Sequence, residues 1–205
     1  MGPQQGQNQR KQPHQERARA TVERIVEAAG RVLAQHGYDG CSTNRIATEA
    51  GVSKGSLYQY FADKDEILTS LARSIADGLM HDVGTAIDGY LGGDIWTLGA
   101  GVLTATFDAV ESRREVLRPL LLEARHIDVI DMTSAVVVRA HDIGRTYIAL
   151  NPEQFPAGID SDATIFVLFS ALRATLVSYV TGTTDLSRDR LTAALASVFV
   201  PALTR

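Results

Sequence analysis

The chain is short of cysteine and of long apolar runs, and both shortages exclude classes of protein. Among its 205 residues there is one cysteine, Cys41, so neither an internal disulfide nor a multi-thiolate metal site can form. The longest apolar stretch, residues 165–180, is interrupted by four polar residues that include Arg173, and we expect no helix here to span a membrane. The N-terminal stretch MGPQQGQNQRKQPHQ lacks the apolar segment of a signal peptide. These shortages predict a cytoplasmic protein without membrane contact.

The sequence motifs of common enzymes are also missing. There is no G-x-S-x-G, phosphate-binding glycine loop, dinucleotide fingerprint or H-E-x-x-H, and the five histidines are scattered. A helical metalloenzyme remains a remote alternative if His81, His126 and His141 meet carboxylates in the folded chain. We therefore predict that the protein is not an enzyme and binds no cofactor or metal.

Charge is divided unevenly along the chain. Residues 1–60 hold eight Lys or Arg against five Asp or Glu, whereas residues 61–205 hold twelve against nineteen. A basic end on an acidic body favours contact between the first part of the chain and a polyanion, although an excess this small is often only a solvated surface. Charge therefore supports such a contact without establishing it.

Apolar residues recur at helical spacing along most of the chain, and no convincing strand alternation interrupts them. Residues 1–15 are rich in Gln, Gly and Pro, and we expect a mobile polar tail there. The pattern predicts an all-α protein of about nine helices, in which Pro119 lies in the first turn of the sixth. We divide it into this tail, an N-terminal domain at 16–79 and a C-terminal helical domain at 80–205.

The N-terminal domain contains two short helices joined by a tight turn. Ser42 or Thr43 begins the first, Gly51 ends it, and Ser53 begins the second. Together with the long helix before them they form a three-helix, homeodomain-like helix-turn-helix domain with its motif at 42–61. Short capped helices with glycine turns are also common in helical bundles, so spacing alone leaves a purely structural role open.

The second short helix has two unlike faces. At about 100° per residue, Leu57, Tyr60 and Phe61 share an arc that can pack on the other helices. The other arc carries a cation, hydrogen-bonding tips, a flat ring and a glycine that permits close approach, on Lys54, Gly55, Ser56, Tyr58 and Gln59. These are the features that a helix in a DNA major groove needs. This face therefore predicts contact with base edges.

One run of residues in this domain has a distinctive spacing: Thr43-x-x-Ile46-Ala47-x-x-Ala50-Gly51-Val52-Ser53-x-Gly55-x-Leu57-Tyr58-x-Tyr60-Phe61-x-x-Lys64-Asp65-x-x-Leu68, preceded by Ile25-x-x-Ala28-Ala29 and Gly37-Tyr38. It closely resembles the N-terminal signature of the TetR family of bacterial transcriptional repressors. The resemblance covers about residues 19–79, and over the rest of the chain it is one of architecture only.

The resemblance implies a role in DNA binding for ten residues. Thr43 and Lys64 would contact phosphates, and the Tyr60 hydroxyl would reach the backbone from a ring packed inward. Asn44 stands where some members carry a longer basic residue, although its amide can bond adenine. The base-reading helix supplies the others, which are Ser53 as its cap, Lys54, Gly55, Ser56 and Tyr58 at base-reading positions, and Gln59 at the groove edge.

Basic residues between Arg10 and Arg19 precede the first helix. They either follow a neighbouring minor groove, as homeodomain arms do, or belong to an unstructured soluble tail. The sequence does not choose between these two alternatives.

The last two helices are the predicted dimer surface. The eighth is apolar on more than one face and the ninth has a narrower apolar stripe, so two subunits would form a four-helix interface with twofold symmetry. The alternative is that these helices are only the core of their own domain. The candidate interface residues are Phe166, Phe169, Leu172, Arg173, Leu176, Leu191, Leu195, Val198 and Phe199.

A repressor of this type also needs a small-molecule site between helices four and eight. Arg173 is a cation in an apolar helix and demands a partner, which is either a carboxylate across the dimer or an acidic ligand group. The large or polar residues that could line the site are Trp96, Phe107, Leu122, Arg125, His126, His141, Arg145, Tyr147, Phe166 and Arg173. Their chemistry leaves the effector unidentified.

The predicted function is therefore a DNA-binding transcriptional regulator. We expect a homodimeric repressor that binds a palindromic operator and is released when a ligand in the C-terminal domain moves the fourth helix. A DNA-binding dimer switched by a protein partner is the alternative.

Overall fold

The computed structural model describes residues 8–90, 95–124, 127 and 134–203. Over these residues the chain is all-helical, which confirms the predicted fold class. It divides into two compact units, residues 1–71 and 72–205. The division lies within a helix, before the boundary at residue 79 that the sequence suggested.

The first unit contains three helices and the start of a fourth. They are α1 (Asn8–Gly40), α2 (Thr43–Ala50), α3 (Lys54–Tyr58) and α4 (Lys64–Tyr90), of which α4 continues into the second unit. The end of α1 is kinked at Gly37, where φ is 65°, a left-handed value that suits glycine because it has no Cβ.

The second unit adds five helices over its described residues. They are α5 (Ile95–Glu111), α6 (Arg114–Leu122), α7 (Ser134–Leu150), α8 (Ser161–Thr181) and α9 (Arg188–Leu203), with a short 3₁₀ turn at Pro152–Gln154. The helical order matches the predicted one. The sequence pattern places the start of the fifth helix at Asp94 and that of the seventh at Asp128, and both residues lie outside the described ranges.

Two helix starts differ from the sequence-based expectation. Helix α1 begins at Asn8, within the segment expected to be a tail; Gln, Arg and Lys have good helix propensity, so a polar segment can extend a helix without burying anything. Helix α6 begins at Arg114, which places Pro119 inside the helix rather than in its first turn. Pro119 is buried, so its ring contributes to packing although it removes a backbone donor.

The core of the first unit is built from the apolar faces of all four helices. Ile25, Leu33, Ile46, Leu57 and Leu68 are completely buried. Full burial of such a side chain contributes about 1.5–3 kcal/mol. The short helices α2 and α3 therefore depend on tertiary packing, because helices of this length are unstable alone.

The core of the second unit contains buried residues of α5, α8 and α9. Leu103 and Phe107 of α5 pack with Leu172 of α8 and with Leu191 and Leu195 of α9. A neighbouring cluster of Val110, Leu117 and Val180 ties α6 to the end of α8. Helices α8 and α9 thus stabilise their own unit.

Helix α8 is long and apolar enough to cross a membrane by length and composition alone. Polar residues are spread along the helix, among them Asp162 and Arg173, and do not offset the apolar majority. A single helix of this kind is weak evidence for a membrane span, since core helices of soluble proteins pass the same test. One side of α8 is buried in the unit through Ile165, Leu168, Leu172 and Val180.

Candidate nucleic-acid interface

Local hydrogen bonds shape the helix-turn-helix motif. The Ser42 hydroxyl accepts the Arg45 N–H at 3.3 Å and begins α2, so Ser42 rather than Thr43 is the cap. Gly51 ends α2 with a φ of 64°. The Ser53 hydroxyl accepts the Ser56 N–H at 3.0 Å and begins α3. Each cap satisfies a backbone donor that would otherwise lack a partner at a helix start.

The two predicted faces of α3 are separated as expected. Leu57 is completely buried and Phe61 is 5% exposed, whereas Tyr58 is 46% exposed. Helix α3 ends at Tyr58 instead of continuing to Phe61, so Tyr60 lies in the following turn. Tyr60 is half-buried, which suits a ring packed inward with an outer hydroxyl. Its contact with a phosphate stays a prediction.

Tyr58 is held by contacts to two other predicted DNA-binding residues. Its hydroxyl lies 3.1 Å from the Thr43 hydroxyl at the start of α2. The Lys54 Nζ lies 5.8 Å from the centre of its ring, within cation–π range. The phosphate-contacting and base-reading candidates are therefore one connected surface across α2 and α3.

Gly55 faces open space. A Cβ added there would meet only the Ser53 Oγ, at 3.9 Å, which is an ordinary van der Waals distance. Glycine in a helix costs up to about 1 kcal/mol relative to alanine, and the packing of this chain does not require it. A role for Gly55 at the DNA groove stays a prediction.

The remaining predicted DNA-binding residues of this region differ in the exposure and hydrogen bonding of their side chains. The Ser53 hydroxyl donates to the Ser56 hydroxyl at 3.0 Å, so both serine side chains bond within the turn. The Asn44 and Gln59 side chains are exposed. The two exposed amides are thus better placed for an external partner than the two serines.

Lys64 occupies the first position of α4 and lies against Tyr38. Its Nζ donates to the Tyr38 backbone oxygen at 3.2 Å and lies 3.6 Å from the centre of the Tyr38 ring. The Tyr38 hydroxyl donates to the Asp65 carboxylate at 2.8 Å. The sequence pattern assigns neither Tyr38 nor Asp65 a role in DNA binding, although both belong to the motif that carries the resemblance.

Tyr38 titrates unusually because of this environment. Burial, the hydrogen bond to Asp65 and the negative charges of Asp65, Asp39 and Asp63 raise the pKa of Tyr38 from 10.0 to about 12. Each of these causes disfavours the tyrosinate form. The hydroxyl is therefore a protonated donor to Asp65 at neutral pH.

The candidate ligand residues lie in unlike environments. Phe107 is completely buried and contacts Tyr179 edge-on at 5.4 Å between ring centres. Tyr147 contacts Phe155 in the same way at 6.1 Å. Phe107 is thus placed first of all as a core residue of α5.

The other ligand candidates are more exposed or lie outside the described residues. Arg145 pairs with Asp162 at 3.2 Å, and the His141 ring lies 6.3 Å from that of Phe169. Leu122 is half-buried, while Trp96, Phe166 and Arg173 are exposed. Arg125 and His126 are not among the described residues. The ligand site of this chain stays a prediction.

The candidate dimer residues fall into three groups by burial. Leu172, Leu191 and Leu195 are buried in the core of the unit. Leu176 and Phe199 pack partly against that core, and Phe169 is half-buried. Three are exposed, namely Phe166 at 63%, Val198 at 59% and Arg173. The exposed group, together with Val167 at 61%, is what a second subunit could cover.

The histidines of the metalloenzyme alternative are not joined into a site where the structure describes them. His81 is exposed and His141 lies beside an aromatic ring. Within the described ranges, no group of three or more His, Cys, Asp or Glu side chains is placed to hold a metal ion. His126 lies outside these ranges.

Comparison with known proteins finds similarity in the first unit and in the fold. Residues 19–71 match the family model described as bacterial regulatory proteins, tetR family. The HTH-type transcriptional repressor AcnR of Corynebacterium efficiens is 37% identical over 59 residues, which are 29% of this chain and 31% of that protein. The chain therefore matches about a third of the length of this curated relative.

Two solved structures share the fold over most of the chain. A putative TetR-family transcriptional regulator from Mesorhizobium loti is 19% identical with a TM-score of 0.71, covering 92% of this chain and 99% of its own. The transcriptional regulator FadR from Bacillus subtilis, solved in complex with stearoyl-CoA, is 20% identical with a TM-score of 0.68, covering 88% and 98%. These matches confirm the predicted fold. The family and the curated relative are DNA-binding regulators rather than enzymes, in agreement with the sequence-based prediction.

Proposed function

We infer that this chain, whose residues 19–71 belong to the tetR family of bacterial regulatory proteins, is a DNA-binding transcriptional regulator. We propose in addition that it acts in the bacterial cytoplasm as a homodimeric repressor of a palindromic operator and is released by a small molecule. The observation that carries the proposal is the α3 surface, where Leu57 is buried while Tyr58, Lys54 and Gly55 face outward.

The outward face of α3 has the chemistry of direct readout. The Lys54 ammonium can donate to the O6 and N7 of guanine, and the Tyr58 ring offers an apolar surface to a thymine methyl. Gly55 lets the helix backbone approach the groove, since it has no side chain and the nearest atom to a Cβ there would be the Ser53 Oγ, at 3.9 Å. The face would thus distinguish sequences rather than only bind charge.

Contacts to the DNA backbone would come from the helix starts on either side. Thr43 begins α2 and Lys64 begins α4, so a hydroxyl and an ammonium stand at the two helix starts, and each can donate to a phosphate oxygen. Such contacts fix register on the duplex and carry no sequence information by themselves.

The dimer is proposed on the exposed apolar side chains of α8 and α9. Phe166, Val167 and Val198 are each about 60% exposed, and α8 is apolar well beyond its buried side. Large apolar side chains gathered on neighbouring helices favour association. Arg173 lies on the same helix and would meet a partner carboxylate or solvent at the rim.

The effector is proposed as a small molecule bound in the second unit. One solved structure with the same fold holds stearoyl-CoA, so long-chain acyl compounds are the first class to test. To weaken operator binding about 100-fold, the ligand must favour the released conformation by about 2.7 kcal/mol.

Operator binding by the full-length protein tests this function. A labelled duplex carrying the DNA upstream of its gene would be compared with a scrambled duplex at several salt concentrations. We expect roughly 10³-fold or greater preference for the upstream DNA and release by the effector. Equal affinity for the two duplexes would refute sequence-specific regulation. If stearoyl-CoA leaves DNA binding unchanged, only that compound is excluded as the effector.

A further inference from the structure

The Lys64 side chain makes two contacts with a single residue, Tyr38, in addition to its proposed contact with a phosphate. Its ammonium donates to the Tyr38 carbonyl oxygen at 3.2 Å and lies 3.6 Å from the Tyr38 ring centre. A lysine side chain otherwise samples many rotamers, and ordering it costs entropy. Lys64 is half-buried, so its stem is partly fixed before any partner arrives.

The carbonyl that receives Lys64 sits at the end of α1. The same Tyr38 oxygen accepts the Cys41 N–H at 3.1 Å, after the kink that Gly37 makes possible. A backbone carbonyl has two lone pairs, so this oxygen can accept from the Lys64 ammonium as well as from the Cys41 N–H. Backbone geometry therefore sets the position of the Tyr38 oxygen, independently of the tyrosine side chain.

The acidic neighbours of Lys64 are occupied by other partners. The Asp63 carboxylate accepts the backbone N–H groups of Asp65 and Glu66, each at 2.9 Å. The Asp65 carboxylate accepts the Tyr38 hydroxyl at 2.8 Å. Among the described residues no ion pair includes Lys64. Its remaining ammonium hydrogens are then available to an anion.

We propose that Tyr38 is a positioning residue for the DNA-backbone contact of Lys64: its ring face and carbonyl hold the ammonium at the start of α4, and its hydroxyl occupies the competing Asp65 carboxylate. This proposal rests on the proposed DNA-binding function. Tyr38 itself touches no DNA in this scheme. Its effect on operator affinity passes entirely through Lys64.

The experiment is a double-mutant cycle on full-length protein, read by operator affinity at several salt concentrations. Lys64→Met should weaken binding about 10-fold and reduce the salt slope by about 1.8 per dimer, which is about 0.9 for each of the two lost phosphate contacts. Tyr38→Leu removes the ring and should reproduce most of both effects, whereas Tyr38→Phe keeps the ring and should lose less. In the Lys64→Met background, Tyr38→Leu should change neither quantity further.

The positioning role would be overturned if the losses of operator affinity from Tyr38→Leu and Lys64→Met were additive. It would also be overturned if a folded Tyr38→Leu variant kept the salt slope of the parent. If Tyr38→Leu does not fold, a series of fluorinated phenylalanines at position 38 tests the positioning role instead. Fluorine weakens the ring's attraction for a cation with little change in shape. Affinity should then fall about 2- to 5-fold in total as fluorination increases, and a flat series refutes the proposal. Absence of specific binding by the unmodified protein would instead refute the proposed function.

Discussion

The two units of the chain expose opposite kinds of surface. In the first, the exposed side chains around α3 are polar and tied to one another, as in the Thr43–Tyr58 and Lys54–Tyr58 contacts. In the second, α8 and α9 expose large apolar side chains such as Phe166 and Val198. Polar groups with fixed geometry suit a polyanion with a repeated structure, whereas exposed apolar area suits another protein surface.

The units also differ in how far relatives share their sequence. The family model matches only within the first unit, at residues 19–71, whereas the solved structures match the fold of nearly the whole chain at about 20% identity. A surface that binds DNA must keep particular groups at particular positions. A helical core needs only apolar residues of suitable volume, so many sequences can build it.

The largest effect is expected at Leu57, which is the buried residue of α3 beneath its polar surface. Leu57→Ala removes a completely buried side chain and should destabilise the first unit by about 2–5 kcal/mol in denaturant unfolding. Tyr58→Ala, one residue away, is the matched control and should leave the unfolding transition within about 0.5 kcal/mol of the parent while operator affinity falls. If Tyr58→Ala unfolds the unit and surviving protein binds normally, the assignment of the two faces is wrong.

The apolar surface of the second unit is tested next, by placing a charge on it. Phe166→Glu should convert a dimer into a monomer in sedimentation, because an unpaired carboxylate would be buried at the interface. Val138→Glu is the control, since Val138 is equally exposed but lies on α7. A Phe166→Glu protein that sediments like the parent would remove α8 from the interface.

A smaller effect is expected at Gly55, where one substitution should change the stability of the unit and its operator affinity in opposite directions. Gly55→Ala should raise the stability of the first unit by up to about 1 kcal/mol, because the added Cβ meets no close neighbour. Operator affinity should fall by roughly 10-fold or more, since the methyl group would occupy the space that the DNA needs. Unchanged affinity in an anisotropy titration would show that Gly55 has no role at the groove.

The last expected effect is a dependence of the stability of the first unit on pH. Since the pKa of Tyr38 is raised from 10.0 to about 12, the folded state binds this proton more tightly than the unfolded state. The resulting stability is complete below pH 10 and is lost as the pH rises towards 12. Denaturant unfolding should show this loss in the parent and a weaker one in Tyr38→Phe; parallel curves for the two proteins would contradict it.

Several features of the candidate interface could be predicted from spacing alone. The turn at Gly51, the cap at Ser53 and the burial of Leu57 beside an exposed Tyr58 all follow from local rules of helix geometry. These rules act within a few residues, so a single sequence contains all the information they need.

Contacts between distant residues were beyond the same reasoning. The Tyr38–Asp65 and Lys64–Tyr38 bonds join residues 27 and 26 positions apart, and only folding of α1 against the start of α4 brings them together. The dimer candidates show the same limit. Leu172, Leu191 and Leu195 share their apolar character with Phe166 and Val198, and periodicity could not tell which leucines α5 would cover.

Periodicity, caps and spacing are local properties, so the amino-acid sequence alone yields the helical class, the helix-turn-helix and the motif by which residues 19–71 match the tetR-family model. The tertiary structure decided which apolar side chains of α8 and α9 remain exposed, and which residue holds Lys64. Burial and long-range hydrogen bonds depend on how helices pack, and packing is fixed only when distant segments of the chain meet.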